Sequence, residues 1–484
     1  MIPVRLNNFL NRYGIYFLSL IFFILYATLG IVRHNHFLSA WDLSVVDQIT
    51  WKYSQFLTPI TTVHAYSGTL IFTDHVEFIY VLLSPLYWIW NDARALITAQ
   101  AFFISFSAVP IYLLAVKYKI KPLLALTISP TYLLFYGVQT ALWNDVHSIV
   151  FGASFIAWFI YLLDSKKIKL TFLAFLLAIA CKEDVAFLTL AISFAYFIKR
   201  KDRQTLILIT ISIIYLFAVF FIYYPHFTSG YRFEDQSGYF KGFDVGNYFN
   251  TADKQQSIFF SLAGFGFIPL LAPLFLIPAF ADISHYFILG STVTTAQGIF
   301  LHYRVTLAPL LALPTIIAIS KYKKLNRSYT GIYLIICSLA ILYYLHLPLT
   351  YLTKQWFWTT PPSVSSINLL IKQIPSNASL VSEVNIIPHV DHRNEIYTLW
   401  AEEKTFKSNS PCGQRTCPWF RWNGNPQYLI VNTAPNWDIR QLFQNNPDFN
   451  SAINSIEKEG VVKLYKQEGT TELYKILKNP KVLQ

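Results

Sequence analysis

Tyr13-Gly14-Ile15-Tyr16-Phe17-Leu18-Ser19-Leu20-Ile21-Phe22-Phe23-Ile24-Leu25-Tyr26-Ala27-Thr28-Leu29-Gly30-Ile31-Val32 carries no ionised side chain over its whole length. As a helix it rises about 30 Å, the thickness of a bilayer's hydrocarbon core. Four runs of similar length and character follow: Ala95–Val116, Pro122–Trp143, Gln204–Tyr224 and Tyr329–Leu349. Shorter apolar runs are Ser148–Leu163, Leu170–Cys181, Val185–Ile198, Ser257–Leu271, Pro273–Leu289 and Val305–Ser320, which bring the candidate spans to 11. The first run is too long for a cleaved signal peptide, and no small-residue cleavage site follows it. The expected fold is an all-α polytopic transmembrane bundle.

Composition agrees. Of 484 residues 54% are hydrophobic and 13% charged, against about 25% charged in soluble chains. The mean hydropathy is +0.40. A disordered chain, a coiled coil and a disulfide scaffold are excluded. The net charge of +12 would suggest a nucleic-acid partner in a soluble protein. Here the cations sit between spans: Arg5 and Arg12; Lys117, Lys119 and Lys121; Lys166, Lys167 and Lys169; Lys199, Arg200, Lys201 and Arg203; Lys321, Lys323, Lys324 and Arg327. The positive-inside rule assigns all five groups to the cytoplasm. No nucleic acid is expected. The N-terminus is then cytoplasmic, and an odd span count puts the C-terminus outside the plasma membrane.

That parity requires Val76–Trp90 not to span. The segment contains Glu77 and Pro85 and would measure only about 22 Å as a helix. Its Tyr87, Trp88 and Trp90 suit a helix lying in the outer interface. Leu170–Cys181 and Val185–Ile198 read as a hairpin with Lys182-Glu183-Asp184 at its tip. Twelve residues rise only about 18 Å, so the tip is expected below the outer headgroups. Charges at that depth are costly and usually functional; a tight outer loop with an internal Lys–Glu pair is the plainer alternative.

Residues 1–349 therefore form the membrane domain, and Thr350–Gln484 changes character. It is polar and rich in turn residues. Ser363–Ile374, Ile439–Gln444 and Ser451–Glu457 read as helices. Ser379–Val384, Glu395–Leu399, Gln427–Asn432, Val461–Lys466 and Glu472–Ile476 read as strands. A small extracytoplasmic α/β domain over residues 350–484 is expected. Cys412 and Cys417 fit a disulfide or a free pair. No Walker loop, dinucleotide fingerprint or zincin motif occurs.

On the outer connections three acid groups stand out. In Trp41-Asp42-Leu43-Ser44-Val45-Val46-Asp47-Gln48 the two acids are five apart, so on a helix they point about 140° apart. Asp42 is expected to cap that helix, with Asp47 further inside it. Thr73-Asp74-His75 precedes the interfacial segment, and Asp74 is an N-cap or a ligand. Asn144-Asp145-Val146-His147 follows the third span, where Asp145 and His147 can reach one centre or bond the next helix N-terminus. Glu183, Asp184, His302 and Arg304 share that face. Carboxylates with His suit a divalent cation such as Mg or Mn, with Asp74, His75, Asp145 and His147 as candidate ligands. Lys182, His302 and Arg304 are candidate phosphate-binding residues. Asp42, Asp47, Asp145, Glu183 and Asp184 are candidate catalytic acids and bases.

Several of these stretches carry a resemblance. Trp41-Asp42-Leu43-Ser44-Val45-Val46-Asp47-Gln48 with Trp51 resembles the Phe-Asp-Leu-Gly-x-x-Asp-Gln-x-x-Trp element of an uncharacterised prokaryotic membrane family (domain of unknown function 2079). Thr73-Asp74-His75-Val76-Glu77 and Leu83-Ser84-Pro85-Leu86-Tyr87 are similar to its Gly-Asp-His and Pro-Leu-Tyr elements. Asn144-Asp145-Val146-His147, Cys181-Lys182-Glu183-Asp184 and His302-Tyr303 with Pro309 resemble three more. Ile386-Ile387-Pro388-His389 resembles its Leu-Pro-His stretch. Ser44 and Arg304 depart from the family pattern. The family in turn resembles the GT-C class of membrane glycosyltransferases. That likeness implies a GT-C-like bundle of about 11 spans with interfacial helices. It implies a polyprenyl-phosphate sugar donor and a glycan, lipid or protein acceptor on the outer face. Asp42 or Asp47 would be the first-loop acid and Asp145 the second. A transporter or flippase, and a non-catalytic envelope assembly protein, are the alternatives. If an enzyme, the chain should bring Asp42 or Asp47, Asp145, Glu183 and His302 to one outward-facing cavity.

Overall fold

The computed structural model describes residues 4–63, 69–70, 75–227, 245–287, 294–401, 420–422, 424–434 and 446–479. The chain divides into two compact units. The first comprises residues 1–31, 72–82 and 96–354; the second comprises 32–71, 83–95 and 355–484.

The first unit is helical, as its long apolar runs require. Among the described residues four helices are long and apolar enough to cross a membrane: Tyr13–Asn35, Arg94–Lys117, Arg203–His226 and His302–Lys321. Shorter apolar helices include Pro122–Leu133, Ser148–Asp164, Ile168–Ile179 and Ser328–Tyr344. The first and fourth long runs of the sequence reading are therefore long helices, and the second is one with a slight break at Ser107. The other two long runs are not. Pro122–Trp143 is broken: Pro130 lacks an N–H to continue the ladder, the first helix stops at Leu133, and Phe135 is extended before a second helix, Tyr136–Trp143. The Gln139 side chain caps the break by donating to the Leu134 carbonyl at 2.7 Å. Tyr329–Leu349 is helical only to Tyr344, with His346 left-handed and Pro348 beginning a short 3-10 turn.

Packing sorts the helices by environment. Leu307–Lys321 is buried along nearly its whole length. Arg203–His226 instead exposes Ile213, Ile214, Phe217, Phe221 and Ile222, an apolar face that suits lipid. Close approach occurs at small residues, as lipid-embedded packing favours: Gly152 lies against Val185 and Cys181. At one end of the unit Asp164 collects Lys117 at 2.6 Å, Arg200 at 3.1 Å and the Tyr118 hydroxyl at 3.0 Å. Asn326 bonds the backbone of Lys119 and Lys121 there. Four of the five cationic connections thus meet at a single end.

The second unit contains the five-stranded sheet. Its strands are β3 (Leu380–Ser382), β4 (Ile396–Thr398), β7 (Tyr428–Asn432), β8 (Val462–Glu468) and β9 (Thr471–Ile476), while β1 (Ile60–Thr61) with β2 (Thr69–Leu70), and β5 (Trp400–Ala401) with β6 (Phe420–Arg421), are two-residue pairs. The sheet order is β4-β3-β7-β9-β8, with β4, β3 and β7 parallel and β9 and β8 antiparallel. Helix Asn446–Lys458 buries Phe449, Ala452, Ile453 and Ile456, one helical face, against Leu429, Val431 and Tyr474. Helix Ser363–Ile371 packs on β7, β8 and β9. Each of the five strands lies within a residue or two of its reading from sequence. The expected helix Ile439–Gln444 and the pair Cys412 and Cys417 fall outside the described residues.

Candidate functional site

Trp41–Ser54 forms a helix in the second unit, and Asp42 sits in its first turn. The N-cap is Ala40, without a side-chain cap bond, so Asp42 does not cap the helix as expected. Asp42 is exposed, whereas Asp47 is fully buried. The five-residue spacing puts them on different faces.

Asp47 is the centre of a polar cluster. The Tyr87 hydroxyl donates to its Oδ1, and His392 Nε2 lies 3.1 Å from its Oδ2. Asp391, only 1% exposed, faces the same carboxylate. Burial, and then the Asp47 charge, hold the Asp391 carboxyl well above the ordinary carboxylate range. One ligating atom from each of Asp47, Asp391 and His392 lies within 4.8 Å of the others. The His392 ring is stacked on Trp51 at 5.8 Å, tilted by only 12°.

Local sequence explains the assembly. Asp391, His392 and Arg393 occupy the crossover between the parallel strands β3 and β4. Arg393 fixes that crossover by donating to the carbonyls of Val390 and Ala378. Gln48, next to Asp47, donates to the Arg393 carbonyl at 3.3 Å and to Thr62 Oγ1 at 2.9 Å. Its Oε1 accepts from the Thr62 backbone N–H at 3.0 Å. The Asp-Gln pair therefore has divided labour: the acid reaches the cluster and the amide aligns the backbones around it.

Beside the cluster lies a cavity of about 720 Å³, lined among others by His34, Arg94, Asn368, His389, Asp391 and His392. Arg94 is held by a bidentate pair with Asp92, at 2.6 and 2.7 Å. His389 stacks between His34, at 4.0 Å, and Phe37, at 3.8 Å. Burial, with His34 and Arg94 adding to it, keeps His389 well below the usual imidazole range and therefore neutral. The acids, amides, imidazoles and guanidinium that line it can bond both sugar hydroxyls and a phosphate.

The remaining candidates belong to the first unit. Lys182 is the N-cap of helix Glu183–Arg200, and Glu183 and Asp184 stand in its first turn, where the helix dipole favours acids. Glu183 is 1% exposed; it pairs with His75 Nδ1 at 2.6 Å and accepts the Val76 N–H at 3.1 Å. Lys182 pairs with Asp184 at 3.4 Å, and His285 lies 3.6 Å from the same acid. The Lys182 partner is thus Asp184 rather than Glu183. Ser148 donates to Glu77 at 2.6 Å, and burial raises the Glu77 carboxyl. His147 and His302 are stacked at 3.5 Å. Asp145 adopts a left-handed backbone, φ 62°, and its backbone carbonyl accepts from Gln100 Nε2, while Gln100 Oε1 accepts the His147 N–H. Arg304 is fully buried over Tyr286 and Phe287. It donates to the Ala296 carbonyl, and its Nε and Nη1 meet no acceptor among the described residues.

Pairwise, the structure joins His75 with Glu183, Lys182 with Asp184, and His147 with His302. It does not join Asp42 to Asp47. His75, Asp145 and His147 do not form a three-ligand group with one another among the described residues; Asp74 lies outside those residues. Asp391, His392 and Tyr87 were not legible as partners of Asp47. The one signal was His389-Val390-Asp391-His392-Arg393, a dense run of imidazoles and charges between two strands.

These features define a helical membrane protein with a sheet-containing second unit. The chain belongs to the family described as predicted membrane protein (DUF2079), whose model matches residues 33–455. No curated protein matches this sequence.

Proposed function

We propose that the protein is a GT-C-like integral membrane glycosyltransferase of about 11 spans. It moves a sugar from a polyprenyl-phosphate donor to an envelope glycan, lipid or protein on the outer face of the plasma membrane. The observation that carries this reading is Asp47: a buried carboxylate, held by Tyr87 and His392, beside a polar cavity large enough for a sugar phosphate. Asp47 is the base that takes the acceptor hydroxyl's proton. The sugar's anomeric carbon then gains the acceptor oxygen, and its bond to the donor phosphate breaks. Arg304, with two donors unpaired among the described residues, and Lys182 give the membrane unit its own capacity to hold phosphate. The positive-inside rule supports a cytoplasmic location for the end where the cationic connections meet.

The test is sugar transfer by purified protein from polyprenyl-phosphate donors. Asp47→Asn should insert and fold yet lose transfer by a factor of about 100 or more, within the usual range for a general base. Full activity in that variant would remove the site. A flippase is the second reading, favoured by the buried charges at Lys182, Glu183 and Asp184 in the membrane unit. Lipid translocation in vesicles without sugar transfer would select it.

A further inference from the structure

Asp47 and Asp391 present two buried carboxyl groups to each other, an arrangement that needs either a proton on one of them or a cation between them. Tyr87 donates to Asp47 Oδ1, and this leaves the second oxygen turned toward His392 Nε2 at 3.1 Å. Asp391 is 1% exposed, and its Oδ2 meets no hydrogen-bond partner among the described residues. Arg393 is the adjacent cation, yet its guanidinium is committed to the carbonyls of Val390 and Ala378.

We propose that Asp47, Asp391 and His392 bind a divalent cation of the manganese type. One donor atom from each lies within 4.8 Å of the other two, and a small inward adjustment of these side chains lets a single ion reach all three, since donors on bonds of about 2.1 Å are at most about 4.2 Å apart. Adjacent ligands of an octahedral ion with bonds of about 2.1 Å are about 3 Å apart. The 3.1 Å between Asp47 Oδ2 and His392 Nε2 has that spacing. Two carboxylates and one imidazole suit Mn2+, with Zn2+ as the competitor; a site with a nitrogen ligand is less suited to Ca2+. The surroundings resemble a support shell for such ligands. The Tyr87 hydroxyl fixes the Asp47 carboxylate, and Trp51 stacks flat on the His392 ring. Asp391 and His392 also line the cavity, so the ion's remaining positions face water or a ligand there. Metal binding at these residues does not require the transfer reaction.

The experiment uses the full-length protein in detergent, stripped with EDTA and titrated with MnCl2. Free Mn2+ is read by electron paramagnetic resonance and the protein by its Tm. The expected result is one bound ion per chain and a rise in Tm. Asp391→Asn and His392→Gln should each weaken Mn2+ binding by about tenfold or more, the range for lost ligands and their supports. Asp92→Asn, whose acid pairs with Arg94 on the cavity wall, should leave it unchanged. Metal-free Asp391→Asn should melt no lower than the metal-free wild type, because the Asn amide can donate to Asp47 in place of a protonated Asp391 carboxyl. If that variant does not fold, His392→Gln carries the test alone. Absence of stoichiometric Mn2+ or Zn2+ binding, or undiminished binding in the variants, would overturn the site even if sugar transfer were intact. Binding with no sugar transfer would leave the site standing and count only against the proposed function.

Discussion

Lys52 shows at the scale of one residue what the second unit demands of its side chains. It is 5% exposed, and its Nζ donates to the Ile60 carbonyl at 2.5 Å. Burial lowers its ammonium pKa to about 8, with the Glu395 carboxylate partly opposing. In the unfolded chain the group stays charged to its ordinary value of about 10.4. Between those values the unfolded state binds more protons, so stability rises with pH. A shift of this size corresponds to about 3 kcal/mol at most. The gain is absent below pH 8 and complete above pH 10.5. Thermal melts from pH 7 to 10.5 should show this rise, and Lys52→Met should flatten it. A profile that is identical in the variant would refute the assignment. Asp47 and Lys52 lie on one helix, yet only the acid was legible beforehand. It stands in a recognisable motif, whereas the burial of Lys52 depends on Ile60 and Glu395, neither of which marks it in the sequence. Asp391 and His392 were missed for the same reason: they meet Asp47 across more than three hundred residues.

At the scale of elements, apolar runs located the helices but not their breaks. Run length counts apolar residues and is blind to a missing N–H at Pro130 or a left-handed His346. Those local events split or shorten two of the five long runs. The break after Leu133 has a use. It lets helix Tyr136–Trp143 lie against the 3-10 turn His302–Arg304. Gly137 is the contact point: a Cβ there would meet the Arg304 backbone carbonyl. Backbone cannot swing aside as a side-chain tip can, so Gly137→Ala should destabilise the membrane unit by about 1–3 kcal/mol. The readout is a lower Tm in detergent. An unchanged Tm would mean that the turn yields freely, and the tight placement of Arg304 would lose its support. Strands were easier to locate than helix breaks, since β7 and β9 are short alternating or apolar runs bounded by turn residues.

At the scale of the whole molecule, composition marked the shift near Thr350, and the last segment of the second unit begins at Gln355. What composition could not show is that this unit also takes in residues 32–71 and 83–95. The ties that recruit them are single hydrogen bonds: the Ile396 N–H to Thr62 Oγ1 at 3.0 Å, the Thr398 hydroxyl to the Val63 carbonyl at 2.5 Å, and Gln48 to the Arg393 carbonyl. Leu43, Ile49 and Val63 are fully buried in the same unit. A chain ending at Lys354 loses all of these partners while keeping every apolar run that directs insertion. It should therefore reach the membrane with helix Trp41–Ser54 opened to solvent. Trypsin reports this at Lys52, which is shielded in the intact protein. If opening loses about 3 kcal/mol of protection, cleavage there should rise by about a hundredfold. Equal protection of Lys52 in both chains would mean that residues 32–71 hold their fold without the sheet. The arrangement around Asp47 would then not depend on Asp391 and His392 at all.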